Sequence, residues 1–257
     1  MKGERKTLGQ LFVPICLEIL CFMLTGMVDT MMLSSVGDQA VGAVGTANTY
    51  IGIFIIMFSI ISSGMIAVMT QYIGAGRKGI AYQARQLGLI FNAVIGVVLS
   101  VILFCFAENV LLMVGVADRL RGYAATYLKI VGGSCILNAL IPIFSSYLRA
   151  FGHTKQSLFA TIAGNVVNLI LNAVFLFVFH MGVMGVALAT VISRILNLLI
   201  VIIASHLLVD AGKDPERITN KEVFGKIISI GLPSALETGL YNLAMTLIIR
   251  FLNQMDT

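Results

Sequence analysis

Three carboxylates lie inside long apolar stretches of this sequence: Glu18, Asp29 and Glu237. An ionised side chain near the centre of a bilayer costs about 2.5–3.5 kcal/mol unless it faces a cavity or a partner. The chemistry open to such an acid is the binding of a proton, a metal cation or an organic cation. Each of the three acids is therefore a candidate functional residue.

Glu18 and Asp29 share a predicted helix face. On an α-helix, their separation in the sequence corresponds to a rotation that ends about 20° from full register. Thr25 lies on the same stripe. The spacing indicates one polar face, unless Glu18, near the helix start, reaches the headgroup region and leaves only Asp29 deep.

A polar stripe runs along a second apolar stretch and consists of Thr161, Asn165, Asn168 and Asn172. Their spacings of four, three and four residues place all four side chains on one face of a helix. Two interpretations are open. The stripe either ties helices together by hydrogen bonds worth about 0.6–2 kcal/mol each, or lines a cavity that coordinates an ion or an organic cation.

The next apolar stretch carries Thr190, Arg194 and Asn197 on one face. An arginine within a membrane span is expected to have a specific partner, because an isolated charge is costly there. Arg194 therefore either balances an internal carboxylate or braces the helix bundle.

Motifs of catalysis and nucleotide binding do not account for these residues. Gly74–Gly79 has the spacing of a dinucleotide-binding loop, but no strand precedes it and no acid follows about 20 residues later. The sequence contains no G-x-S-x-G, H-E-x-x-H or Walker motif. We therefore expect neither an enzyme nor a bound cofactor.

The elements that position these residues must be membrane helices. Of the 257 residues, 58% are apolar and 11% are charged, whereas soluble domains average about 45–50% and about 25%. This composition excludes a soluble globule and predicts an all-α, polytopic membrane bundle. Seven apolar segments are long enough to span a bilayer as helices: residues 8–35, 41–71, 87–107, 122–147, 156–180, 185–208 and 226–252.

The distribution of basic residues predicts the orientation of these helices. With the N-terminus inside, twelve lysines and arginines lie on the inner side and four on the outer side, with Arg194 within a span. The positive-inside rule therefore places the N-terminus in the cytoplasm. Because this asymmetry accounts for the net charge of +5, we expect no nucleic-acid partner.

A faint internal repeat relates the first and seventh segments. Pro14 recurs as Pro233, and the glutamate four residues after each proline recurs with the same offset of 219 residues. A parallel repeat of six helices is the simplest interpretation. It predicts a six-helix lobe over residues 1–212, then a cytoplasmic linker and the first helix of an incomplete second lobe over 213–257, with the missing lobe expected in cis.

Several short motifs follow one another along almost the whole chain: Pro14 with Val28-Asp29-Thr30, then Gln71–Gly76, Leu148–Lys155, Asn168–Asn172 and Gly182–Thr190. Their order and spacing resemble the first lobe of the multidrug and toxic compound extrusion (MATE) family. This resemblance implies a twelve-helix transporter of two six-helix lobes related by a pseudo-two-fold axis, truncated here after helix 7.

The resemblance also implies a function. It implies an antiporter of the plasma (inner) membrane that exports organic cations and drugs by alternating access, in exchange for H⁺ or Na⁺. Such a protein needs no cofactor, and its partners are small organic cations and the lipid bilayer.

The family's functional positions can be carried over to this sequence. The resemblance implies ion or proton coupling at Asp29, Asn168, Asn172 and Thr190, with Na⁺ at Asp29, Asn168 and Asn172 as the only metal ion expected. Asn172 stands where some members carry a second aspartate, so Asp29 is the lobe's single deep acid. A wider substrate cavity is predicted from Tyr127, which the resemblance implies, and from the polar residues Glu18, Thr25, Asn165, Arg194 and Glu237.

Two other functions stay open from the sequence. A lipid-linked oligosaccharide flippase of the same superfamily would line its cavity with several arginines, whereas only Arg194 is deep here. An intact seven-helix signalling protein fits the number of spans, but it predicts a stable, functional protein of 257 residues, whereas the repeat predicts an incomplete one. The sequence shows no recognisable catalytic constellation that would support a membrane enzyme.

Overall fold

The computed structural model describes residues 8–113, 115–209 and 216–255. Every regular element in these ranges is helical. Helices suit an apolar chain in lipid because each one satisfies its backbone polar groups within its own segment. The helices are α1 Leu8–Ser34, α2 Asp38–Gly74, α3 Lys78–Cys105, α4 Ala107–Met113, α5 Asp118–Tyr127, α6 Cys135–Ala150, α7 Thr154–Ala173, α8 Gly182–Leu208 and α9 Asn220–Met255.

Six of the seven predicted spans meet the length and apolarity needed to cross a membrane. Within the described ranges, the candidates are Phe12–Ser34 of α1, all of α2, α3 and α8, and α7 together with the π-helical turn that follows it. The pair of α5 with its π-helical turn and α6 forms the sixth candidate. The seventh predicted segment lies in α9, one continuous helix that is not among these candidates over its described residues.

The fourth predicted span, residues 122–147, is bent by 44°. A π-helical turn occupies Leu128–Gly132, and a new α-helix begins at Cys135. The backbone N–H of Ile136 donates to the hydroxyl of Ser100 on α3, at 2.9 Å. A side chain thus satisfies a backbone group at the break, which is the condition for irregular backbone at membrane depth.

The packing of α1 decides where its polar residues can point. This helix packs mainly along α7, with smaller contacts to α2 and α8. In turn α7 packs along α8, while α2 contacts α3, α5, α6 and α9. The polar stripe of α7 therefore lies at the junction of α1 and α8.

The start of α9 lies directly against α2. The two backbones cross at Gly64 and Gly231, where a Cβ on Gly64 would overlap the carbonyl oxygen of Ile227. A Cβ on Gly231 would likewise overlap the carbonyl oxygen of Ile60. Glycine is required at both positions because the helices approach more closely than any side chain permits.

Polar contacts join the segment before α9 to the turn between α2 and α3. Arg77 pairs with Glu216 at 2.6 Å, and the buried Gln83 donates from Nε2 to the carbonyl oxygen of Ile218 at 2.7 Å. These two basic segments therefore lie at the same end of the bundle, as the predicted alternation of helices requires. The predicted lobe boundary between residues 212 and 213 lies outside the described residues.

Candidate functional site

Asp29 lies against two asparagines of α7. The Nδ2 atom of Asn172 donates to Asp29 Oδ1 at 2.7 Å. Asn168 lies one turn earlier on the same face, and with its amide nitrogen toward the carboxylate it donates to Oδ1 at 2.9 Å and to Oδ2 at 3.2 Å. Asn168 is 5% exposed and Asn172 is fully buried, so the acid is held by neutral donors inside the protein.

The amide of Asn172 offers more than a donor. Its Oδ1 atom is buried and has no hydrogen-bond partner in the described part of the chain. A carboxylate and a free amide oxygen are therefore close together, and oxygen atoms of this kind are the ligands that hard cations prefer. The Asp29 carboxylate can bind a proton instead of a cation.

Thr190 and Tyr127 extend this cluster onto two more helices. Thr190 is buried, and its hydroxyl donates to the Val186 carbonyl oxygen at 2.9 Å. Tyr127 is 4% exposed, and its side chain contacts those of Asn48 and Thr190. The structure thus brings together Asp29, both asparagines, Thr190 and Tyr127.

Arg194 lies one turn after Thr190 and belongs to the same neighbourhood. Its charge interacts electrostatically with Asp29, Tyr127 and Cys135. No ion pair with Asp29 is present among the described residues. The balancing of an internal carboxylate, one of the two roles that the sequence left open, therefore does not take the form of a direct ion pair between these two charges.

Glu18 occupies a second, separate polar cluster on α1 and α7. Its Oε1 atom accepts from Arg149 Nη2 at 2.7 Å and from Thr161 Oγ1 at 3.1 Å. Ser157 Oγ lies 3.4 Å from the same atom. Both carboxylates of α1 therefore face α7, in agreement with their spacing, but Glu18 is paired with an arginine rather than with neutral amides.

Breaking the Glu18 pair is expected to destabilise the lobe. In Glu18→Gln, the partly buried Arg149 loses its charged partner, and we expect the free energy of unfolding to fall by about 1–3 kcal/mol. Thermal unfolding of the purified chain measures this. Glu108→Gln is the matched control, because it breaks the exposed pair with Lys129 and such pairs contribute little. Equal stability of the two variants would contradict the prediction.

The structure does not bring every predicted cavity residue to Asp29. The Thr25 hydroxyl donates to the Cys21 carbonyl oxygen of its own helix at 2.8 Å. Asn165 is partly buried, with no partner for Nδ2 among the described residues. Glu237 is exposed on α9, which packs mainly on α2 and α3 in the described part of the chain.

Sequence reasoning missed three participants. Ser157 continues the α7 stripe one turn before Thr161, so extending the pattern would have found it. Asn48 is a polar residue in the apolar segment 41–71, which is a weaker signal. Arg149 gave no signal, because its partner is 131 positions away in the chain.

Comparison with protein families identifies the wider group. The family model described as MatE matches residues 14–174. The "Uncharacterized transporter YisQ" of Bacillus subtilis (strain 168) is 33% identical over 245 residues, covering 93% of this chain and 54% of the relative. The "Probable multidrug resistance protein NorM" of Thermotoga maritima is 24% identical over 247 residues, covering 93% of this chain and 52% of the relative.

Solved structures match the fold over the same extent. An outward-facing multidrug resistance MATE transporter of the MOP superfamily has a TM-score of 0.81 at 21% identity, covering 92% of this chain and 53% of that one. At this identity the likeness concerns the fold. The chain spans about half the length of the curated relatives it matches.

Proposed function

The chain belongs to the MatE family of multidrug efflux transporters, and from this premise we propose that it forms one lobe of an ion-coupled antiporter. The lobe exports organic cations and drugs in exchange for H⁺ or Na⁺. One observation carries the proposal: the carboxylate of Asp29, partly buried between α1 and α7, meets the neutral amides of Asn168 and Asn172. The flippase and signalling alternatives are not favoured by these comparisons.

The coupling step in this proposal is an exchange at Asp29. A proton, or Na⁺ bound between the carboxylate and the free Asn172 Oδ1, neutralises the acid, whereas an organic cation requires it charged. Thr190 supplies a further oxygen. Because the two occupants compete for one acid, each one weakens binding of the other, and their differential affinity for inward- and outward-open states drives alternating access.

The whole activity requires a second lobe, which we propose is joined in cis. Rocking of two repeats about a central site is how many secondary transporters alternate access. Apolar side chains are exposed on α1, among them Met23, Met27 and Met31. They are available to pack against a second lobe. We further propose that the transporter lies in the plasma (inner) membrane. Its N-terminus is placed in the cytoplasm by the positive-inside rule, and two of the basic segments lie at the same end of the bundle.

Efflux of ethidium from energised cells tests the function. The cells express either the chain alone or the chain extended by the second lobe of the Bacillus subtilis relative, and pH and Na⁺ gradients are collapsed in turn. We expect efflux only from the extended form and its loss with one of the two gradients. Absence of efflux from both forms, each present in the membrane, would contradict the proposal.

A further inference from the structure

Arg194 is a partly buried charge that the proposed coupling step does not use. Its Nη1 atom is buried without a hydrogen-bond partner in the described part of the chain. Burial of a charge is unfavourable unless contacts offset the lost hydration. Arg194 therefore keeps a donor that it can offer to a ligand, at a site whose other residues belong to the proposed transport machinery.

Opposite charges share this site without neutralising each other by direct contact. Arg194 lies within electrostatic range of Asp29, yet the carboxylate takes its hydrogen bonds from Asn168 and Asn172. The titratable groups around Arg194 are Asp29, Tyr127 and Cys135. With Asp29 ionised and the other two neutral, the formal charge of the cluster is zero.

A second free donor lies on the neighbouring helix α6. The Nδ2 atom of Asn138 is also buried without a partner among the described residues, and α6 packs against α8, the helix that carries Arg194. Two N–H donors from α6 and α8 suit a carboxylate or phosphate oxygen. A guanidinium adds planar, charge-assisted hydrogen bonds that such groups accept well.

We propose that Arg194 binds an anionic group of the transported compound while Asp29 binds its cationic group, so that a zwitterion binds more tightly than a simple cation. This inference rests on the proposed function and narrows its substrate class. A simple cation is expected to bind more weakly, because it adds a positive charge next to Arg194 and leaves the guanidinium without an anionic partner. A zwitterion instead places one charge opposite each protein charge.

Binding of two matched dyes to the purified chain tests the proposal. Tetramethylrhodamine carries a carboxylate and a cationic ring system, whereas its methyl ester carries the cation alone. We expect the wild-type chain to bind the free acid more tightly in fluorescence-anisotropy titrations. Arg194→Gln is expected to weaken binding of the free acid about tenfold, or about 1.4 kcal/mol, without weakening binding of the ester, and Arg194→Lys is expected to retain part of the preference.

Control variants separate this role from bracing. Arg119→Gln removes an exposed arginine in the first turn of α5 and is expected to leave both affinities unchanged. If Arg194 were merely structural, Arg194→Gln would weaken the binding of both dyes equally, and that result would overturn the proposal. Equal affinity of the wild-type chain for both dyes, or binding of neither, would overturn it as well.

Asp29→Asn distinguishes the inference from the proposed function. We expect this variant to bind both dyes more weakly, because both carry the cationic ring system. Ester binding that is insensitive to Asp29→Asn would contradict the proposed role of Asp29. The role of Arg194 would still be decided by comparing the preference for the free acid over the ester between the wild-type chain and Arg194→Gln.

Discussion

Ion-coupled efflux is expected to fall about 100-fold when Asp29 is replaced by asparagine in a transporter that carries this lobe. The substitution keeps the size of the side chain and its ability to hydrogen-bond with Asn172. It removes the negative charge for which the coupling ion and the substrate are proposed to compete. Because no second acid stands at residue 172, nothing nearby can replace it. Ethidium efflux at matched expression levels measures the effect.

The control for this prediction is Asp38→Asn. Asp38 is exposed in the first turn of α2 and lies outside the cluster, so its loss is expected to leave efflux unchanged. Membrane expression of Asp29→Asn should equal that of the wild type, since the packing of α1 on α7 is preserved. Efflux that persists in Asp29→Asn would remove this acid from the mechanism.

Gly64→Ala is expected to lower the free energy of unfolding by about 1–3 kcal/mol, the usual cost of overpacking. Helix propensity alone predicts the opposite sign, because alanine is favoured over glycine by about 1 kcal/mol in a helix interior. The clash decides the outcome, since the added Cβ overlaps the Ile227 carbonyl oxygen and backbone cannot rotate away. Thermal unfolding of the purified chain, followed by far-ultraviolet circular dichroism, measures the change.

Gly52→Ala provides the matched control on the same helix. A Cβ on Gly52 meets no atom within 4 Å, so this variant is expected to be as stable as the wild type or slightly more stable. Gly231→Ala should reproduce the effect of Gly64→Ala from the other side of the crossing. If Gly64→Ala and Gly52→Ala unfolded at the same temperature, the close approach of α2 and α9 would be wrong.

Local patterns in the sequence predicted much of the candidate site. The eleven-residue spacing of Glu18 and Asp29 placed both on the face that contacts α7. The spacing of Asn168 and Asn172 predicted a shared face, and both amides do meet the Asp29 carboxylate. Periodicity succeeds here because the rotation per residue of a helix does not depend on what the helix packs against.

Partners across the chain could not be predicted in this way. Glu18 was a cavity candidate by sequence, but it pairs with Arg149, and Arg194 lies near Asp29 without touching it. These outcomes depend on the distance and rotation of one helix relative to another, which no repeat within a single helix encodes. For the same reason, the free donors of Arg194 and Asn138 become visible only in the assembled bundle.

Composition and periodicity by themselves determined that this protein is a multi-pass helical bundle and which faces of its helices are polar. The bilayer imposes this result, because its core offers no water to the backbone. A helix satisfies the backbone hydrogen bonds within its own segment. Tertiary structure alone decided the bend in the fourth span, the glycine crossing of α2 and α9, and the division of the polar residues into two clusters. Each of these depends on packing between segments that lie far apart in the sequence.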